Sequence, residues 1–143
     1  RLDRSDPAYN SVAGITDGVE VELEAGTTFV VADGTGSTLF WVTDGASLRA
    51  LGSEAEPIIF RAEQEEPGHW NGLYFSGAAG SVLQHVQVAW AGGSPDGRYI
   101  GAIYIYRPGG SGTIELNDVV VQGSSTCAVW ASDAGEQRVE ING

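Results

Sequence analysis

The sequence predicts an all-β fold, a parallel β-helix (solenoid) of about four to five rungs, from three observations. The stretch Gly72-Leu73-Tyr74-Phe75 returns as Ala102-Ile103-Tyr104-Ile105 and again as Ala128-Val129-Trp130-Ala131. A second series, Leu83-Gln84-His85-Val86-Gln87-Val88, returns as Leu116-Asn117-Asp118-Val119-Val120-Val121, and its opening returns once more as Ile141-Asn142-Gly143. Between the copies lie Asp-Gly pairs beginning at 17, 33, 44 and 96, corners in which Gly supplies a positive φ and Asp tolerates one. Self-similarity at a period of roughly 20 to 50 residues marks stacked repeats, each rung too small to bury its own apolar face.

Taken in order, residues 1–18 read as a lead-in segment, charged and without periodicity at their start, and residues 19–143 as the β-helix domain. Val19, Val21 and Leu23 alternate with Glu20, Glu22 and Glu24, the period-two pattern of a strand with one wet face. Gly26 turns the chain into a strand over 27–32, with Phe29 and Val31 facing one way, and the turn-rich run 33–37 leads to a strand over 39–42. Asp44-Gly45 precedes a strand over 46–51, and the run Glu24–Phe29 resembles Thr43–Leu48. Pro57 opens Ile58-Ile59-Phe60-Arg61, at a strand start where its missing N–H costs nothing. A polar loop over 63–68 precedes Trp70 and the motif at 72–75. The remaining strands are read over 81–90, 102–106, 113–121, 127–132 and 138–141, with a Gly- and Pro-rich excursion over 92–97, making eleven in all. Leu73, Phe75, Val86, Val88, Ile103, Ile105, Leu116, Val119, Val121 and Val129 are expected to line the core. Eleven short strands also suit a sandwich, but strands of a sandwich need not resemble one another, whereas stacked rungs place each motif on its own copy about 4.8 Å away.

Composition narrows the function classes. The 143 residues fit one domain. Seven basic residues, all arginine, stand against 19 carboxylates for a net charge of −12, which repels phosphate backbones and anionic lipid surfaces and argues against nucleic acid as a partner. Nothing approaches the roughly 20 apolar residues of a membrane span, so no membrane insertion is expected. Cys127 stands alone, which precludes an intrachain disulfide or a cysteine-based zinc site and reads as a small buried hydrophobe. With Arg1 first and no signal peptide, the chain reads as a mature or excised piece. Val139–Gly143 matches the start of a repeat strand, so more rungs, or another copy stacked end to end, are expected beyond it.

The ordered run Gly45–Gly52, Glu56–Phe60, Pro67–Phe75 and Val82–Gly93 resembles bacterial right-handed parallel β-helix repeat proteins, a likeness that extends over roughly residues 19–132. That family is mostly exported and of unassigned activity, and it shares its shape with pectate-lyase-like enzymes. The resemblance implies a right-handed coil and an extracellular or cell-surface location, and it implies no particular chemistry.

If Leu73 and Phe75 point inward, Tyr74 points out, and the repeat places Tyr104 and Trp130 beside it as an aromatic ladder. Such rings suit the apolar faces of sugars or a protein partner; the plain alternative is that they stack on one another. The same register aligns His85 with Asp118 and Arg107 with Asp133. The first pair has the composition of a general base with an orienting carboxylate, but no nucleophile or second acid recurs beside it, so a solvated corner pair is favoured. The second reads as an ion pair of little worth if exposed.

A calcium-dependent lyase needs carboxylates stacked across rungs with a Lys or Arg base, yet the chain has no lysine and its carboxylates fall on the first strand and in loops. Glu115 and Glu140 share a register in the second series but lack the flanking groove a glycosidase needs. The outward glutamates of the first strand discourage edge-to-edge pairing. The expectation is a rigid structural and binding module of a surface-exposed protein, acting in adhesion, matrix contact or assembly, with no catalytic set, metal or cofactor. A β-helical polysaccharide lyase or glycoside hydrolase and a self-stacking architectural subunit are the alternatives.

Overall fold

A computed structural model describes residues 12–32, 39–93, 97, 101–106, 112–132 and 138–143. Among them are fourteen strands: β1 (Val12–Ile15), β2 (Glu20–Leu23), β3 (Thr28–Val31), β4 (Leu39–Thr43), β5 (Ser47–Leu51), β6 (Ile58–Ala62), β7 (Gly72–Ser76), β8 (Val82–Gln84), β9 (Val86–Ala89), β10 (Gly101–Tyr106), β11 (Thr113–Asn117), β12 (Val120–Gln122), β13 (Cys127–Ser132) and β14 (Arg138–Asn142). They form three sheets, ordered β1-β4-β7-β10-β13, β14-β11-β8-β5-β2 and β12-β9-β6-β3. Every pairing among the described residues is parallel. The chain visits the first, second and third sheets in turn and then lays each strand on its predecessor, so it is a β-solenoid with four full passes and the first two strands of a fifth.

The register is the one that the repeats demand. Leu73 pairs with Ile103 and Ile103 with Val129, which sets Tyr74, Tyr104 and Trp130 in line. Leu83 pairs with Leu116 and Leu116 with Ile141. Identical positions on successive rungs thus form columns, and the interior is built from them: Val42, Phe75 and Ile105 in the first sheet, Ala50, Leu83 and Leu116 in the second, Phe60 and Val88 in the third. All eight are at most 1% exposed, and fully burying a side chain of the larger kinds contributes about 1.5–3 kcal/mol. Phe60 stacks on Phe29 at 4.9 Å and 6° and meets Phe40 edge-on at 5.4 Å, which ties the third sheet to the first across the core. Trp70, 1% exposed, closes the connection before β7 by donating its indole N–H to the Ala89 carbonyl at 2.9 Å.

Corners stack as strands do. Between the second and third sheets the backbone N–H groups of Gly52, His85 and Asp118 donate to the carbonyls of Gln84, Asn117 and Asn142 at 2.9, 3.0 and 2.8 Å, the same bond on three rungs. Between the first and second sheets Gly18 donates to Asp44 at 3.1 Å and Gly45 to Gly77 at 3.0 Å. Ser81, fully buried, satisfies an interior donor by accepting from the Leu48 N–H at 3.1 Å. Gly72 is required where it stands: its φ is 117°, and an added Cβ would run into the Ala102 carbonyl oxygen on the next rung.

Several expectations are corrected. Stacking begins with β1, ahead of the boundary placed at Val19. The continuous strands expected over 81–90 and 113–121 are each two, because His85 and Asp118 take φ values of 47° and 51° and turn the chain between sheets. With β1 these two breaks account for fourteen strands in place of eleven. The likeness of 24–29 to 43–48 joins β3 to β5, which lie in different sheets; the stacked partner of β2 is β5, with Glu20 opposite Ser47. Leu73, Phe75, Val86, Val88, Ile103, Ile105 and Leu116 are buried as expected, whereas Val119, Val121 and Val129 are only partly so. Cys127 is exposed rather than buried, at the start of a strand that ends its sheet among the described residues.

Candidate functional site

The outer face of the first sheet carries the aromatic ladder, and it is longer than expected. Trp41 pairs with Tyr74, Tyr74 with Tyr104 and Tyr104 with Trp130, so four rings lie in one row over about 14 Å at the usual strand spacing. Tyr74 and Tyr104 stack at 5.5 Å and 18°, and Tyr104 and Trp130 at 4.5 Å and 12°. Tyr106 lies beside Tyr104 at 6.4 Å and 30°. The row starts at Gly14, the register partner of Trp41, where a Cβ would collide with the indole nitrogen: the missing side chain is what seats the ring.

The stacking has a consequence for binding. Rings packed face on face spend those faces on each other, so an inner ring offers a ligand its edge alone. Tyr104 offers less still, being 9% exposed, with β10 buried on both its faces from Gly101 to Ile105. The expectation of three exposed rings is therefore corrected at its middle: Tyr104 is a packing residue, Tyr74 and Trp130 are half-buried, and Trp41, at 37%, is the most accessible ring of the row. Thr43, paired with Ser76 two positions along from Trp41 and Tyr74, sets a hydroxyl pair beside the accessible end of the row.

His85 and Asp118 do meet. The imidazole Nε2 lies 3.9 Å from the Asp118 carboxylate, an ion-pair distance when the ring is protonated, with the side chains 29% and 56% exposed. The left-handed corner conformation of both residues aims the two side chains out of the wall on successive rungs. They lie in a shallow groove shared with Ser53, Glu54 and Gln87. Arg107 and Asp133 lie outside the described residues. Glu115 and Glu140 are direct register partners, and Glu115 also accepts from the Asn117 amide at 3.5 Å. The outward glutamates of β2 are exposed, and Glu22 lies 3.7 Å from Arg49.

Among the described residues no group of three or more His, Cys, Asp or Glu is placed to hold a metal ion, and no helix is long and apolar enough to cross a membrane. The residue that sequence reasoning missed is Trp41. Its signal was present, since Phe40-Trp41-Val42-Thr43 repeats as Leu73-Tyr74-Phe75-Ser76 at the same spacing as the first two copies of the second series. No protein-family profile, no curated protein and no solved structure matches the chain.

Proposed function

We propose that the chain is a rigid structural and binding module of a secreted or surface-exposed bacterial protein, coiled in the right-handed sense that parallel crossovers favour, and that it holds a polysaccharide against the outer face of its first sheet. The observation that carries this reading is the ladder itself, four in-register rings with an accessible indole at one end. Interlocked columns inside and stacked rings outside favour a stiff rod over an adaptable receptor, and stiffness suits adhesion or matrix contact. Trp41 provides a large apolar surface with few rotatable bonds, and the Thr43 and Ser76 hydroxyls beside it suit the hydroxyl groups of a sugar. The exported setting rests on the resemblance of the Gly45–Gly93 run, and the strong negative charge supports a polysaccharide over nucleic acid or anionic lipid.

The test is retention on insoluble polysaccharides and on intact bacterial cells, comparing the native chain with Trp41→Ala and Tyr74→Ala, each confirmed folded by circular dichroism at the assay temperature. Retention that falls several-fold for Trp41→Ala supports the reading. Equal retention of native and variant chains overturns it.

A further inference from the structure

Charge is unevenly shared among the three sheets. None of β1, β4, β7, β10 and β13 contains an acidic or basic residue, so the first sheet is charge-free along its strands in a chain of net charge −12. Among the described residues the carboxylates that stand on strands, Glu20, Glu22, Glu115 and Glu140, all belong to the second sheet. On the first sheet each ring of the aromatic row is followed two positions on, and so on the same face, by a residue with a hydroxyl: Thr43 after Trp41, Ser76 after Tyr74, and likewise Tyr106 and Ser132 on the later rungs. One carboxylate borders this face at its accessible end. Asp44, exposed in a left-handed corner just past β4, accepts a hydrogen bond from the Thr43 hydroxyl at 3.1 Å.

We propose that the first sheet selects an uncharged polysaccharide, and that Asp44 is the residue that turns acidic ones away. This selectivity rests on the reading of the sheet as the face that holds a polysaccharide. A uronate carboxylate laid against the rings would lose its water and needs a cation or several donors in return. No arginine stands on these strands, and the chain has no lysine. The Thr43 proton is already directed at Asp44, so that hydroxyl meets a ligand as an acceptor. A sugar hydroxyl can donate to it. An ionised carboxylate, which only accepts, cannot.

Like charge adds to the mismatch. At a separation of about 8 Å in water, repulsion between Asp44 and a bound carboxylate weakens binding by a factor of about two at low salt. At about 1 M salt the Debye length falls to about 3 Å and most of that factor disappears. An uncharged sugar meets neither obstacle, and its contacts with a ring and a hydroxyl do not depend on screening.

Two matched pairs of probes separate the sugar from its charge: cellulose against carboxymethyl-cellulose, and a methyl-esterified polygalacturonan against the same polymer after saponification. Retention on the immobilised polymers is measured for the full chain and for Asp44→Asn, Glu20→Gln and Trp41→Ala, each confirmed folded by circular dichroism. The full chain is expected to be held several-fold better by the uncharged member of a pair at about 0.01 M salt, and no less well by it at about 1 M. Asp44→Asn keeps a residue that tolerates a φ of 55° and an oxygen that accepts from Thr43, and it removes the charge alone. It should raise retention on the carboxylated polymers about twofold at low salt and leave the uncharged ones unaltered. Glu20→Gln removes the same charge from the second sheet and should change neither. The selectivity is overturned if the carboxylated member is held as well as the uncharged one at low salt, or if Glu20→Gln raises its retention as much as Asp44→Asn does. It is overturned equally if Asp44→Asn loosens the uncharged polymer, which would make the carboxylate a sugar contact. Retention on none of these polymers, or retention that Trp41→Ala leaves intact, overturns the binding face itself and the selectivity with it.

Discussion

Replacing Tyr104 separates packing from binding within one row of rings. The side chain is 9% exposed, stacks on Tyr74 at 5.5 Å and on Trp130 at 4.5 Å, and belongs to a strand buried on both faces. Truncating a buried aromatic to alanine costs about 3–5 kcal/mol. Within that loss the two stacked contacts account for about 1–3 kcal/mol, at roughly 0.5–1.5 each. Tyr104→Ala is thus expected to lose about 4 kcal/mol, and Tyr104→Leu, which keeps most of the apolar volume but no ring, about 2 kcal/mol. At about 4 °C per kcal/mol for a chain of this size, the alanine variant melts about 15 °C lower. Urea denaturation followed by circular dichroism, with near-ultraviolet spectra for the loss of ordered rings, measures both. A loss below about 1 kcal/mol for Tyr104→Ala, or none for Tyr104→Leu, would refute the claim that stacking along the axis stabilises this face.

Further substitutions probe other parts of the fold. Gly72→Ala should cost at least about 3 kcal/mol, because the new Cβ meets a backbone oxygen that cannot move aside and sits at a φ of 117°; a chain that melts like the native one would show that the rungs at Gly72 and Ala102 are not in contact. Ser81→Ala strands the buried Leu48 N–H and should lower stability by about 1–3 kcal/mol, read from the urea midpoint. His85→Gly should raise stability by about 0.5 kcal/mol: relief of a left-handed non-glycine residue outweighs the added freedom of the unfolded chain. A lowered midpoint would mean that the contact with Asp118 contributes more than the strain it accompanies.

The architecture was legible because stacking imposes it on composition. A residue that lies on its own copy must match that copy in size and polarity, and the matches at Leu73, Ile103 and Val129 are the pairs that the structure brings together. The corners were legible in principle and missed. Leu83 and Val86 are both fully buried although three positions apart, as no two such residues can be on one side of a continuous strand. That slip of phase marks His85 as the turn, and Leu116 with Val119 marks Asp118 in the same way. Trp41 escaped because its copy of the motif opens with Leu39 where the others open with Gly or Ala, so the resemblance starts one position late.

Burial was the less legible part. Period-two alternation assigns Tyr104 to the outer side, but what covers that side depends on chain distant in sequence. For the same reason Val119, Val121 and Val129 point to the core yet remain partly open, since β12 and β13 end their sheets among the described residues. The His85–Asp118 pair followed from register alone; the shallow groove around it did not, because the corner at residues 52–57, which also lines it, is longer than the turns at His85 and Asp118.

The most direct test of the account is the set of inter-strand contacts made by β10, read from nuclear Overhauser effects in isotope-labelled protein. A parallel solenoid predicts backbone contacts from Ile103 to both Leu73 and Val129, and from Tyr104 to both Tyr74 and Trp130, with strands running in the same direction. Contacts from Gly101–Tyr106 to the next strand in sequence, Thr113–Asn117, in antiparallel order would contradict the stacking and every ladder that rests on it.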